Sequence, residues 1–129
     1  MNPKSMTIAG WVLTGLYALF MLGASAAPKL MGMPVADGIM RQLGWPEGYV
    51  LMIGLIELGC VLLYLFPKTS LFGAVLTMGL LGGAMATQVR VASPLFSHQL
   101  FSIYLGLFMW GGLWLRDPAL RALFPWRRG

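Results

Sequence analysis

Charged residues divide the chain into long apolar stretches. Residues 5–28, 69–89 and 91–115 contain no Asp, Glu, Lys or Arg, and 48–67 is interrupted only by Glu57. A helix needs about 20 apolar residues to cross a bilayer, and a backbone in lipid must satisfy its own hydrogen bonds. The pattern therefore predicts four membrane-spanning helices, at about 6–27, 48–66, 69–88 and 98–115.

Composition supports a membrane location. Of the 129 residues, 58% are hydrophobic and 10% are charged, with a mean hydropathy of +0.76, whereas soluble domains carry roughly 25% charged residues. So short a soluble chain has too much surface to hide this apolar area. We therefore expect one integral membrane domain over 1–129. Its first span is longer than a typical signal-peptide core, which favours a retained helix over cleavage at Ala24-Ser25-Ala26.

Two shorter segments have helix signals of their own. Apolar residues recur at helical spacing through 34–44, with Asp37 and Arg41 on the polar side. Asp117-Pro118 is a helix-start signal, and Leu120 of the helix that follows is expected to face lipid. The predicted fold is all-α: an integral membrane four-helix bundle, up-down-up-down, with a short outer interfacial helix and a C-terminal interfacial helix.

The basic residues predict the orientation, because Lys and Arg concentrate in cytoplasmic loops. With four spans, both termini share a side with the loop at 67–70. That side carries most of the basic residues, namely Lys4, Lys68, Arg116, Arg121, Arg127 and Arg128. The termini are therefore expected in the cytoplasm. The net charge of +5 suits anionic lipid, and no basic stripe interleaved with aromatic residues indicates nucleic-acid binding.

Glu57 is the most informative residue, because a charge near the middle of a span is costly. Such acids usually face a bundle interior or a cavity, and here the face of Glu57 includes Gly54, Cys60 and Tyr64. Two interpretations stay open. Glu57 either binds a ligand or handles a proton, or it pairs with Lys29 or Arg90 and holds the helices in register.

Other polar side chains are expected near Glu57 on the outer side. Lys29 ends the first span, Arg90 ends the third, and His98 begins the fourth on a face shared with Ser102. Together they predict a polar pocket open to the outer side, with Glu57 at its floor. The alternative is that Lys29 and Arg90 reach the membrane surface and that His98 is a surface or capping residue.

The third span carries a row of small residues, Gly79, Gly83 and Ala86-Thr87. Such rows let helices approach closely, either within one chain or at a contact with a second copy or a redox partner subunit. A metal site is not expected, because one His and one intramembrane Glu make a poor ligand set.

Several motifs resemble the DoxX-like membrane proteins. They are 10–16 (GWVLTGL), 28–30 (PKL), 54–58 (GLIEL), 67–69 (PKT), 82–87 (GGAMAT), 110–113 (WGGL) and 115–118 (LRDP). The resemblance runs from about residue 8 to 125. It implies a four-helix protein of the bacterial inner membrane, in a family named after a subunit of a thiosulfate:quinone oxidoreductase. Lys29, Glu57 and Arg90 resemble polar positions of that family.

These observations lead to a function prediction. The chain is expected to bind a small lipophilic molecule, quinone-like or another hydrophobic metabolite, with Glu57 accepting or donating a proton and Lys29, Arg90, His98 and Ser102 binding the head group. A quinone is the one cofactor indicated. The alternatives are a non-catalytic membrane subunit that anchors a redox partner and a small proton-coupled exporter.

Overall fold

The computed structural model describes residues 2–46 and 48–127. Met1, Glu47, Arg128 and Gly129 lie outside the described residues, and so do the charges that the sequence places at Glu47 and Arg128. The described part of the chain is helical and contains no strand. The predicted all-α class is therefore confirmed.

The first helix, α1, runs from Pro3 to Leu30. Asn2 caps it by accepting a hydrogen bond from the Ser5 amide at 2.7 Å, and Pro3 suits the first turn because it has no amide to leave unpaired. The segment Met21–Ala26 is π-helical and ends two residues before Pro28.

The short helix α2, Pro34–Gln42, lies where the sequence predicts one. Gly32 precedes it with a φ of +67°, a left-handed conformation that glycine adopts without strain. Ala36 and Met40 are buried, while Val35 and Ile39 are exposed. One face of α2 therefore packs on the chain, and it contacts the end of α1 and the next helix.

Three further long helices follow: α3 over Val50–Leu65, α4 over Ser70–Arg90 and α5 over Phe101–Arg116. They differ from the predicted spans at their ends. Gly48 has a φ of +93°, so α3 begins at Val50. A π-helical turn, Leu95–Gln99, precedes α5 in the stretch where the sequence predicts the start of the fourth span.

The last helix, α6, covers Pro118–Leu123. Asp117 caps it by accepting from the Ala119 amide at 3.1 Å, as the sequence signal indicates. Leu120 does not face outward, however, and that expectation was wrong. Its side chain is buried in the hydrophobic core, because α6 folds back on α5.

Two helices are long and apolar enough to cross a membrane by themselves, Pro3–Leu30 and Ser70–Arg90. Helix α3 is apolar but shorter. Its 16 residues extend about 24 Å at 1.5 Å per residue, against about 30 Å of hydrocarbon. The lengths therefore support a helical membrane protein but not, by themselves, four complete spans.

The long helices pack side by side in a closed order, in which each helix contacts two of the others and the contacts form a ring. Helix α1 contacts α5 along Pro3–Phe20 and contacts α3 through Met21–Leu30, while α4 contacts both α3 and α5. Between them lies a core built around Tyr17, Tyr64, Val61, Met109 and Leu113. The outward surface is apolar as well: Leu19 is 72% exposed and Leu107 is 66% exposed. Exposing so apolar a surface to water would cost free energy, whereas exposing it to lipid would not.

Candidate functional site: a cavity above a buried ion pair

A cavity of about 850 Å³ lies between the long helices near the end where α1 finishes and α3 begins. Its walls come from the second half of α1, the first half of α3, the second half of α4 and the start of α5, with α2 on one side. Lining residues from these segments include Phe20, Ser25, Lys29, Ile39, Trp45, Glu57, Gly83, Gln88, His98 and Ser102. The volume falls in the range of small-molecule sites.

An ion pair lies in the wall of this cavity. Lys29 Nζ donates to Glu57 Oε1 at 2.9 Å, and Ser25 Oγ donates to Glu57 Oε2 at 2.8 Å. Lys29 Nζ also donates to Ser25 Oγ at 3.0 Å and to the Ser25 carbonyl at 3.2 Å. We call Ser25, Lys29 and Glu57 the Glu57 cluster. Each charge in it has a partner, as a buried charge requires.

Local sequence explains how the Glu57 cluster assembles. Ser25 and Lys29 are four residues apart, so both lie on the same side of α1. Gly54 lies one turn before Glu57, and a Cβ there would come within 2.9 Å of the Lys29 Cβ. A glycine at this position lets the end of α1 approach α3 closely. That approach brings the Lys29 ammonium within reach of the Glu57 carboxylate.

The face of α3 that carries Glu57 is buried, as its spacing predicts. Gly54, Glu57, Cys60 and Tyr64 all lie on the buried side, and Glu57 is only 5% exposed. The bulkier opposite face, which includes Leu55, is exposed. Of the two partners that the sequence offers Glu57, the structure selects Lys29.

His98 and Ser102 line the cavity, but Arg90 does not. His98 is exposed, and its Nδ1 lies 2.7 Å from Ser97 Oγ. Arg90 is also exposed, and its Nη2 donates to the Leu43 carbonyl at 2.6 Å. The structure thus brings Lys29, Glu57, His98 and Ser102 to one cavity and turns Arg90 toward the end of α2.

Gly79, Gly83 and Thr87 of the row of small residues on α4 line the cavity. A Cβ at Gly79 or Gly83 would meet nothing within 4 Å, and both residues lie in the cavity wall. Of the alternatives that the sequence left open for this row, the structure does not show packing against another helix of the chain at Gly79 and Gly83. The close approaches occur at other glycines, because which glycines meet a neighbouring helix depends on packing between distant parts of the chain.

Ser25 and Gln88 are among the polar lining residues that were not predicted as site residues. Ser25 was noted only as part of a cleavage-like motif, although its position four residues before Lys29 was a usable signal. Gln88 lies beside Arg90 near the end of α4, and its Oε1 is buried without a hydrogen-bond partner among the described residues. A polar amide in an uncharged stretch was the available sign.

A second polar cluster lies at the opposite end of the helices. Arg116 donates to Thr14 Oγ1 at 3.1 Å, to the Tyr64 carbonyl at 3.2 Å and to Ser70 Oγ at 3.4 Å. Its guanidinium also lies 4.2 Å from the centre of the Trp11 ring. We call Trp11, Thr14, Tyr64, Ser70 and Arg116 the Arg116 cluster. Sequence reasoning treated Arg116 as a loop charge and missed this role.

Comparison with known proteins identifies the family. The model of the DoxX-like family matches residues 12–112, which include the helices around the cavity and most of α5. No curated protein and no solved structure matches the chain. Because the family match covers most of the chain and its helices are apolar, this protein is a membrane protein and belongs to the DoxX-like family.

Proposed function

We propose that this protein binds a small lipophilic molecule, quinone-like or another hydrophobic metabolite, in the cavity above the Glu57 cluster. The observation that carries the proposal is the cavity of about 850 Å³, which combines apolar walls with a buried ion pair. Ligand sites typically combine a large apolar surface with a few polar groups that fix the orientation. The apolar part of the ligand would lie against residues such as Phe20 and Ile39, and its head group would approach Glu57.

The proposal includes an arrangement in the membrane. All four long helices would cross the bacterial inner membrane as an up-down-up-down bundle, with both termini in the cytoplasm and α2 on the opposite surface. The closed order of helix contacts and the apolar outward surface support this arrangement. So does the distribution of Lys and Arg. The cavity would then open toward the outer side, where His98 is exposed.

Glu57 would be the proton acceptor if the bound molecule reacts. Its Oε2 accepts from the Ser25 hydroxyl at 2.8 Å, and each carboxylate oxygen can accept a further hydrogen bond. A ligand hydroxyl that reached Glu57 could therefore pass it a proton directly or through Ser25. Lys29 would stabilise the carboxylate until that transfer.

A second candidate occupant is a helix of a redox partner subunit. The observation that favours it is the spacing of Gly79 and Gly83, four residues apart, with open space above both. Small residues at this spacing let a second helix approach closely in lipid. In this arrangement the chain would anchor its partner, and the Glu57 cluster would only hold α1 against α3.

The experiment fills the cavity without disturbing the packing. Gly83→Leu places a side chain in the cavity, whereas Gly82→Leu adds the same side chain next to it, at a position that does not line the cavity. Neither Cβ meets another atom within 4 Å, so both variants should fold. Each is purified in mild detergent and mixed with a decyl-substituted benzoquinone or its quinol, and adducts are measured by native mass spectrometry.

We expect Gly82→Leu to bind like the wild type and Gly83→Leu to bind about tenfold more weakly or not at all. Equal binding by both variants would place the ligand outside the cavity and contradict the proposal. A co-purifying protein that is lost only from Gly83→Leu would favour the partner helix.

A further inference from the structure

The charges around the cavity define the chemical class of head group that it can accept. We infer that the site takes an uncharged head group that donates a hydrogen bond, an alcohol or a phenol, in preference to an anion or a cation. This inference rests on the proposed function, because it concerns the ligand of the same cavity. It narrows the sequence-based expectation, which left the charge of the head group open.

The charged side chains at the floor already neutralise each other. Lys29 and Glu57 are 2.9 Å apart, and their side chains are only 16% and 7% exposed. An anionic head group near Lys29 would also lie near the Glu57 carboxylate, and a cationic one would meet the Lys29 ammonium. Either ion would give up its hydration without gaining an unpaired opposite charge, and that loss is costly in an apolar site.

The other basic groups do not change this balance. Arg90 lies outside the lining residues and donates to the Leu43 carbonyl at 2.6 Å. His98 is exposed at the edge of the cavity, with its Nδ1 next to Ser97 Oγ. The remaining polar side chains that the described part of the chain contributes to the lining are neutral: hydroxyls, the amides of Gln42 and Gln88, and the Trp45 indole.

Hydrogen-bond counting then distinguishes a donor head group from an acceptor. An ammonium has three hydrogens, and the three contacts of Lys29 Nζ, to Glu57 Oε1, Ser25 Oγ and the Ser25 carbonyl, use them all. Each Glu57 oxygen accepts one of the hydrogen bonds within the cluster and has room for another. The cluster can therefore receive a hydroxyl, such as that of a quinol, without breaking a bond, whereas a ketone, such as a quinone carbonyl, or an ether would have to displace one.

The test uses compounds that differ only in their head group. Dodecanol, dodecanoate, dodecylammonium and dodecyl methyl ether are offered together at equal concentration and neutral pH to the purified protein in mild detergent. Their retained adducts are compared by native mass spectrometry. We expect dodecanol to be retained about tenfold more than either ion and several-fold more than the ether.

Charge variants should reverse this preference in opposite directions. Glu57→Gln leaves the ammonium without its partner, so dodecanoate should gain over dodecanol. Lys29→Met leaves the carboxylate alone, so dodecylammonium should gain. The double variant K29M/E57Q removes both charges and should again favour dodecanol, which separates a charge effect from a folding defect in either single variant.

The outcomes separate this inference from the proposed function. Stronger retention of an ion, or of the ether, by the wild type would overturn the inference while leaving a ligand in the cavity. No retention of any compound by the wild type would overturn the inference. If the wild type and Gly82→Leu also failed to bind the benzoquinone and its quinol, the proposed function would fall with it.

Discussion

The two ends of this protein accommodate charge between apolar helices in different ways. At one end, the Arg116 cluster surrounds a guanidinium with hydroxyls, a backbone carbonyl and the Trp11 ring. At the other end, the Glu57 cluster pairs an acid with a base and leaves a cavity of about 850 Å³ beside them. The first end is filled by its own side chains, whereas the second has room for another molecule.

Glycine shows the same contrast. A Cβ at Gly10 would come within 2.7 Å of the Gly112 carbonyl oxygen, and one at Gly73 would overlap the backbone of Tyr64. A Cβ at Gly79 or Gly83 would meet nothing within 4 Å. At the Arg116 end these glycines serve close packing, whereas at the cavity end Gly54 packs closely against α1 and Gly79 and Gly83 leave open space. The open end is consequently where substitutions can change binding without unfolding the chain.

The largest expected effect comes from adding a methyl group at each end. Gly73→Ala forces α3 and α4 apart, because the new Cβ meets main chain that cannot rotate away. We expect a loss of about 3 kcal/mol or more, at or above the usual upper end for overpacking. Gly83→Ala should instead be neutral or stabilise by up to about 1 kcal/mol, because alanine favours helix. Thermal unfolding in detergent measures both.

Equal stability of the two glycine variants would show that the helices near Gly73 are not in close contact. A strongly destabilised Gly83→Ala would show that the space above α4 is filled by the protein itself. Either result would contradict the contrast between the ends.

The sequence predicted well what depends on one helix at a time. The buried face of α3 follows from helical spacing, and Asp117-Pro118 correctly marked the start of α6. Features that depend on contacts between helices were predicted less well from the sequence. Gly10 and Gly83 are both glycines in apolar stretches of the sequence, and only the packing shows that Gly10, and not Gly83, contacts a neighbouring helix.

The candidate site likewise contains residues that the sequence indicated and residues that it did not. Glu57 stood out because a charge in an apolar stretch is visible without any structure, and Lys29 was one of two partners considered. Ser25 was missed because a serine in a span is unremarkable until its hydroxyl reaches Glu57. Arg116 was missed because counting charges places it in a loop, although its position at the end of α5 lets it reach back into the core.

A smaller loss of stability is expected when one member of the Lys29–Glu57 pair is replaced by an apolar residue. Glu57→Leu leaves a largely buried ammonium, and Lys29→Met leaves a largely buried carboxylate. Each should cost about 3 kcal/mol, at the lower end for breaking a buried pair, since Lys29 keeps some exposure. The double variant should recover most of that loss, because two apolar side chains of similar size need no partner.

Chemical denaturation in mixed micelles measures this cycle. Additive losses in the double variant would mean that the two charges do not stabilise each other. The Glu57 cluster would then resemble the Arg116 cluster, in which a charge is held by neutral groups, and the comparison between the ends would lose its electrostatic part.

The smallest effect concerns the two arginines that end α5 and α4. Arg116→Gln removes three hydrogen bonds and the cation–π contacts with the Trp11 and Tyr64 rings, which we expect to cost about 2 kcal/mol. Arg90→Gln is the matched control, because Arg90 is exposed and donates one hydrogen bond, to the Leu43 carbonyl, and its loss should cost about 0.5–1 kcal/mol. Unfolding curves for both variants measure the difference.

A cost for Arg90→Gln that equals or exceeds the cost for Arg116→Gln would mean that α2 is held to α4 as firmly as the opposite end is packed. The cavity would then be closed by a fixed wall, and a ligand would have to enter between the helices from the lipid.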